Sequence, residues 1–354
     1  MIPALFDKSA TEFNTLGIGA LSDTVECFVT EERNGGFTLT ARIPADGEIA
    51  DNINVGNLIV ANASPEQPRQ AFEIYNVKKG IDGLLNVKAN HISYRLLYSI
   101  LKPFTATGIS NVFTQLNTMT TAVYIEGNGF TFSTDIVDSS TSFTLDDYRS
   151  VKNLLGGTDG SILQTFGGCY KWNNFTVSLL GSRGSDNGVR IVYGKNLTDL
   201  TAEYDLAQNP TRVFPIWVNG ETTVTGIPQS SEYFNLYPYA RTVVHDFSDV
   251  FDSQPTVAQL NTAGANWING KGLPSVNLKT SFIPLHQTVE YRDLANVESV
   301  EIDDTVHVYV PTLDVNVKAK VIKTKFNVLA DRYESVEVGN FRTSITDAIR
   351  SVRG

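Results

Sequence analysis

Gly167-Gly168-Cys169-Tyr170-Lys171-Trp172-Asn173-Asn174-Phe175-Thr176-Val177-Ser178-Leu179-Leu180 changes the periodicity of the chain from helical to alternating. The stretch organises what lies on either side of it. Upstream, Tyr148, Val151, Leu154 and Leu155 fall three or four apart and share one face of a short helix, with Asp146 and Asp147 as N-terminal caps and Gly156-Gly157 as the stop. A second short helix carries Ile162, Leu163 and Phe166 and ends at Gly167-Gly168, where a left-handed backbone costs a glycine nothing sterically. Alternation then predicts a hairpin. Cys169–Trp172 turns at Asn173-Asn174 into Phe175–Leu180, with Phe175, Val177 and Leu179 on one side. A polar loop from Gly181 to Gly188 leads to the strand Val189–Tyr193 and to Gly194-Lys195-Asn196-Leu197.

At 354 residues the chain is long enough for two to four domains. Hydrophobic residues are 42% and charged residues 19%, a balance that buries a core rather than leaving the chain disordered. The formal charge is 28 − 38 = −10, which repels phosphates and leaves no basic footprint for a DNA reader. A channel that DNA slides through without sticking tolerates that charge, because phosphate contacts supply most non-specific affinity. The two cysteines, Cys27 and Cys169, form neither a Cys-x-x-Cys pair nor a disulfide framework and read as small buried apolar residues. Met1–Lys8 lacks the basic start and apolar core of a secretory signal, and no apolar run reaches the roughly 20 residues that span a bilayer. The expectation is a soluble protein made in the cytoplasm.

From Val25 to Tyr98 the chain reads as short strands: Cys27–Thr30, Phe37–Ala41, Leu58–Val60, Phe72–Val77 and Leu84–Ala89. Asn34-Gly35-Gly36 and Gly80–Gly83 are the turns. Closing five or six such strands into a small barrel hides their edges. His91 to Leu101 reads as a helix that ends the unit before Pro103. Val112, Phe113 and Leu116 predict a helix, and Val123–Ile125 and Phe130–Phe132 predict strands. Pro215–Gly220 and Val276–Leu278 are further strands, and Val257–Ile268 is a helix. The β pattern returns in Val306–Val310, Val315–Val321 and Tyr333–Val338, in the order seen from Leu58 to Ala89. That is a weak internal repeat. A terminal helix follows from Thr343, with Ile345, Ala348, Ile349 and Val352 on one side.

Several stretches here resemble one family. They are Gly156-Gly157-Thr158-Asp159-Gly160-Ser161, the pattern Gly-Gly-x-Tyr-x-Trp-x-Asn-Phe-x-Val from Gly167, Ser182-Arg183-Gly184, Tyr193-Gly194-Lys195-Asn196-Leu197, Ala89-Asn90-His91-Ile92-Ser93-Tyr94-Arg95-Leu96-Leu97, and the pattern from Val300 to Asn340. They look like the prophage endopeptidase tail family, whose members are phage tail-hub proteins often called tail-associated lysins. The resemblance implies a fold similar to the central baseplate hub of contractile tails. It also implies a homotrimer below the distal tail protein ring, contact with the tape measure protein and with receptor-binding proteins, and no cofactor. The fold expected is therefore mainly β with α+β insertions. Residues 1–101 form a first β-barrel hub domain and 102–195 an α/β domain. Residues 196–226 with 287–340 form a second, similar barrel, 227–286 an insertion, and 341–354 a C-terminal helix. Two like barrels per chain in a trimer place six similar units around one axis, which lets a threefold object dock on a sixfold ring.

The search for catalytic chemistry yields no site. His-Glu-x-x-His, Gly-x-Ser-x-Gly and P-loop patterns are missing, and His91, His245, His286 and His307 have no zinc-ligand spacing. Gly156-Gly157-x-x-Gly160-Ser161 reads as a helix stop and start rather than a phosphate cradle. Asp146-Asp147 and Asp303-Asp304 are adjacent pairs whose carboxyls point apart, so turns and caps suit them better than glycosidase work. Arg183 and Lys195 read equally as partner contacts or loop-fixing residues. Tyr233, Phe234, Tyr237 and Tyr239 read as internal packing, with a sugar-stacking platform as the rival. The expected function is a non-enzymatic tail-tip hub that closes the tail tube and gates DNA release. A peptidoglycan hydrolase or a receptor-binding module is the alternative. In relatives, lytic activity goes with additional C-terminal domains, and this chain ends at Gly354.

Overall fold

The computed structural model describes residues 2–120, 129–158, 160–192, 197–205, 209–251, 253–269, 271–272, 275–282, 300–310 and 315–339. The expected strands Val123–Ile125, the residues Tyr193–Asn196 with Lys195, His286, and the helix from Thr343 lie outside them. The fold is mainly β with a few helices. The described residues fall into two compact units, one within 1–200 and 279–338, the other within 201–278.

The first unit is built on seven strands near its start: β1 (Ala4–Phe6), β2 (Gly19–Ala20), β3 (Glu26–Glu32), β4 (Phe37–Pro44), β5 (Leu58–Ala61), β6 (Gln70–Lys79) and β7 (Leu84–His91). Alternation explains β3, β4 and β7, where every second side chain is buried. Neighbours run in the order β3-β4-β7-β6-β5-β1-β2. Asn34, at φ +55°, makes the β3–β4 turn. Phe37, Phe72 and His91 meet in the core, with the imidazole stacked on Phe37 at 4.4 Å. The residues after His91 are not the single helix that periodicity suggests. His91 caps a 3-10 helix, Ile92–Leu97, by accepting from the Ser93 amide, and Ile100–Leu101 then pairs with Arg149–Ser150 as strands.

The C-terminal strands extend this same sheet. Val315–Asn327 pairs along its first half with Thr305–Val310 and along its second half with β3, through Lys323↔Glu32 to Asn327↔Phe28. Thirteen residues at about 3.3 Å each reach roughly 43 Å, so one strand serves two partners end to end. The expectation of a strand ending at Val321 is therefore too short by the half that joins β3. Arg332–Gly339 lies on the other edge of the long strand.

Between β7 and these strands sits the α/β segment. α1 (Ile109–Thr120) buries Ile109, Val112, Phe113 and Leu116. Asn117 stands in for a strand partner, donating to the Phe132 carbonyl and accepting from its amide, each at 2.8 Å. The hairpin Cys169–Asn173 with Thr176–Leu180 forms, and Thr131–Thr134 adds to it in parallel. The register Asn173↔Thr176 puts the turn at Asn174-Phe175, one residue later than the sequence suggests, because Asn174 takes the positive φ of +48°. α2 is Val151–Leu155 and α3 is Ile162–Phe166. The cap of α2 is Ser150, not Asp146 or Asp147: the Asn153 amide donates to its hydroxyl, while Asp147 pairs with Arg149. Tyr148 is 68% exposed, outside the helix and off the face it was expected to share.

The second unit is a small mixed sheet under one helix. Arg212–Asn219 pairs antiparallel with Thr222–Thr225 and Gln229–Ser230 on one edge and parallel with Thr242–Asp246 on the other. α4 (Val257–Ile268) starts on a full capping box, Thr256 with Gln259, which satisfies two orphan amides reciprocally. Trp217, Phe247 and Leu260 form the core, and the Trp217 indole donates to the Phe251 carbonyl.

Glycine is required at Gly184 by space. A Cβ there would lie 2.1 Å from the Asp303 carbonyl carbon, which no side chain shift relieves. Gly188 has φ +72° with open space around it. Gly184→Ala should therefore lower stability by about 3 kcal/mol or more through backbone displacement, and Gly188→Ala by about 1 kcal/mol through φ strain alone. Urea melts of the two variants check this; equal losses would contradict the close approach.

Candidate functional site

The described residues hold no group of three His, Cys, Asp or Glu placed for a metal ion. What the fold does assemble is a buried ionic clasp in the first unit. β3 turns Glu31 inward, and the loop after Leu180 brings Arg183 to it; both side chains are 4% exposed. Arg183 Nη1 donates to Glu31 Oε1 at 2.6 Å and Nη2 to Oε2 at 3.1 Å, while Nη1 also reaches the Tyr170 carbonyl at 3.0 Å. Burial works against the guanidinium charge and the Glu31 carboxylate overrides it, so the Arg183 pKa is raised. Taking two charges from water is costly, and the bidentate fork with added hydrogen bonds is the geometry that offsets the loss.

Residues 300–304 close the clasp. Asp303 sits at φ +72°, and its carboxylate accepts from Arg33 Nε at 2.8 Å and from the Arg183 amide at 3.1 Å. Asp304 accepts from the Ser185 and Glu301 amides, each at 2.8 Å. The pair thus orders a turn and holds the Arg183 loop. Gln67 and Ser64, from the loop between β5 and β6, donate to Glu31 and Glu301 at 3.0 and 2.5 Å.

Two asparagines dock the hairpin on the first sheet. Asn34 accepts from the Tyr170 amide at 2.8 Å and donates to the Gly168 carbonyl at 3.0 Å. Asn174 accepts from the Ala71 amide at 2.8 Å and donates to the Arg69 carbonyl at 3.1 Å, while Gln70 accepts from the Asn174 amide and donates to Asn173. These amides supply to β6 what a further strand would.

Residues 185–349 match the prophage endopeptidase tail family. The span is a little under half of the chain. Among curated protein sequences none matches the chain. Three solved structures share its fold from end to end. Prophage tail protein gp18 from Listeria monocytogenes EGD-e is 11% identical, with 100% of this chain and 98% of that one covered at a TM-score of 0.60. The 43 kDa tail protein of prophage MuSo2 from Shewanella oneidensis is 10% identical, over 96% and 97%, at 0.64. The tail protein from Neisseria meningitidis MC58 is 8% identical, over 96% of each chain, at 0.59. The fold is that of prophage tail proteins.

Two of the stretches that resemble the prophage endopeptidase tail family, the one from Gly167 and Ser182-Arg183-Gly184, have their place in the clasp and its docking. Gly168 takes φ +99° with the Leu180 carbonyl 2.7 Å from where a Cβ would stand. Tyr170 donates to the Leu155 carbonyl at 2.8 Å and fixes the end of α2. Trp172 lies under the Lys152 ammonium at 3.6 Å, with Tyr94 at 4.9 Å, and burial lowers the Lys152 pKa to about 7. Phe175 stacks on Phe13 and meets Phe130 edge-on. Of the other residues singled out by sequence, His91 is buried and burial holds its pKa well below the usual range. His245 lies against Phe247 and Trp267, and His307 stands 3.6 Å from Asp186. In the second unit Arg212 covers the Phe234 ring at 4.4 Å, Tyr237 donates to the Gly272 carbonyl, and Tyr239 is 64% exposed. Burial pushes the Cys27 thiol up to about 12 and the Cys169 thiol up to about 11, which keeps both protonated and unreactive at neutral pH.

Sequence reasoning placed Asn34 in a turn and left Gln67, Ser64 and Glu301 unremarked. Their partners lie 36 to 237 positions away. Arg183→Met and Glu31→Gln should each cost about 3–5 kcal/mol, since each leaves a buried charge or fork unmatched. The pair Arg183→Met with Glu31→Met should cost less than the sum of the two single losses. Denaturant midpoints of the three variants test this; small, additive losses would show that the pair is not coupled.

Proposed function

We propose that this chain is a structural hub at the tail tip of a bacteriophage or phage-tail-like particle. The carrying observation is the shared fold, spanning the whole chain, with three prophage tail proteins, together with the family match over residues 185–349. On this reading three copies close or extend the tail tube below the distal tail protein ring, contact the end of the tape measure protein and carry receptor-binding proteins. DNA passes through the lumen without specific binding, which a chain of net charge −10 favours. The chain works without a cofactor and without chemistry of its own.

The internal repeat supports the matching of symmetries. β5, β6 and β7 run as an antiparallel meander, and Thr305–Val310, Val315–Asn327 and Arg332–Gly339 follow each other in the same order. Each is the heart of one proposed barrel, the first within 1–101 and the second from 196–226 with 287–340. Two such modules per chain give a trimer six similar edges for a sixfold partner.

The hydrolase reading rests on the word endopeptidase in the family description. Two measurements separate the readings. Light scattering of the chain mixed with its distal tail ring should give three copies of 38.8 kDa per ring; a chain that stays monomeric both alone and with the ring overturns the hub. Purified cell walls should release no fragments with the isolated chain. Release abolished by changing a single His or Asp would make it an enzyme instead.

A further inference from the structure

Asparagine followed by glycine is the pair at which a polypeptide most readily modifies itself, because a glycine amide has no side chain of its own to hinder its approach to the asparagine carbonyl carbon. The sequence has five such pairs, and three lie wholly within the described residues: Asn34-Gly35, Asn187-Gly188 and Asn219-Gly220. The fold treats the three differently. Asn34 is locked, its side chain donating to the Gly168 carbonyl and accepting from the Tyr170 amide. Asn219 sits opposite Thr222 in a hairpin ladder, which keeps its backbone extended and the next amide away from its side chain. Asn187 is exposed in the loop that ends at Gly188, with open space around that glycine, and among the described residues no hydrogen bond holds its side chain. This pair also has a base at hand. The Gly188 N–H, whose proton has to leave, donates to Asp186 Oδ1 at 3.2 Å, within the reach a general base needs. The other oxygen, Oδ2, accepts from Lys318 Nζ at 2.9 Å and lies 3.6 Å from His307 Nε2.

We propose that Asn187-Gly188 is a site of self-modification, at which the folded chain converts Asn187 to aspartate or isoaspartate with Asp186 as the base. The Gly188 nitrogen passes its proton to Asp186 and forms a bond to Asn187 Cγ. The Cγ–Nδ2 bond breaks, and ammonia leaves carrying that proton. Water then opens the succinimide ring at either carbonyl, so the net change is hydrolysis of one amide with no oxidation. The bond from Lys318, and after it the one from Gly188, hold the Asp186 pKa below the usual carboxylate range, so the base is ionised at neutral pH. The product places a second carboxylate beside Asp186. In the iso form it also adds one backbone carbon between Ser185 and Val189, whose carbonyls accept from the Thr305 and His307 amides, each at 2.9 Å. A loop lengthened between two such fixed points loses its fit, and the modification loosens the parallel pair of Arg190–Val192 with His307–Tyr309.

Peptide mapping of the full chain, incubated folded and in urea, reads the mass gain of about 1 Da at each of the three pairs. In urea the three should react at similar rates. In the folded chain Asn34 and Asn219 should slow by about tenfold or more, because their hydrogen bonds must open first. Asn187 should keep at least its rate in urea. Asp186→Ala should slow Asn187 by about tenfold or more in the folded chain and leave it little changed in urea, which separates the base from the sequence around it. A folded Asn187 as slow as Asn34, or a folded rate indifferent to Asp186→Ala, would overturn the proposal.

Discussion

A guanidinium and a carboxylate, each almost wholly out of water, have to find each other for this unit to fold. Arg183 belongs to a loop that precedes the parallel pair Arg190–Val192 with Thr305–Val310, and Glu31 belongs to the third strand of the chain. Either charge alone in that interior would be unaffordable. Their pairing therefore fixes where the loop enters the sheet, and the loop in turn fixes residues 303–304, whose carboxylates hold its amides. Gly184 is pressed so closely on Asp303 that the two backbones have one arrangement.

The consequence is a union of segments that the sequence keeps far apart. The N-terminal sheet, the inserted hairpin and the long strand Val315–Asn327 meet around the clasp, and the hairpin is further seated by Asn34 and Asn174. Apolar burial alone would hold these pieces together without a fixed register. Directed hydrogen bonds through asparagine and arginine supply the register, because they tolerate little displacement.

Much of this was legible in the sequence wherever the cause is local. Alternation located β3 to β7, and the helix expected over Val257–Ile268 is α4 to the residue. The glycines at 167 and 168 ended α3 where expected. What was hidden has a common physical origin in distant partners. The long strand looked short because its second half owes its length to pairing with β3, almost 300 positions earlier. Asp147 looked like a cap, but Ser150 was in place one position before the helix and Arg149 took the carboxylate. Arg183, flanked by Ser182 and Gly184, was noticed for its setting. Its role was undecidable from sequence because Glu31 is 152 residues away.

The account turns on whether these three segments are held as one cooperative piece by the Arg183–Glu31 pair. Native-state hydrogen exchange on Arg183→Met reads this directly, since amides that open together lose protection together. The amides of Phe28–Glu32, Cys169–Asn173 and Lys323–Asn327 should all gain exchange by a similar factor. Faster exchange confined to the loop around residue 183, with the strands as protected as in the wild type, would contradict it.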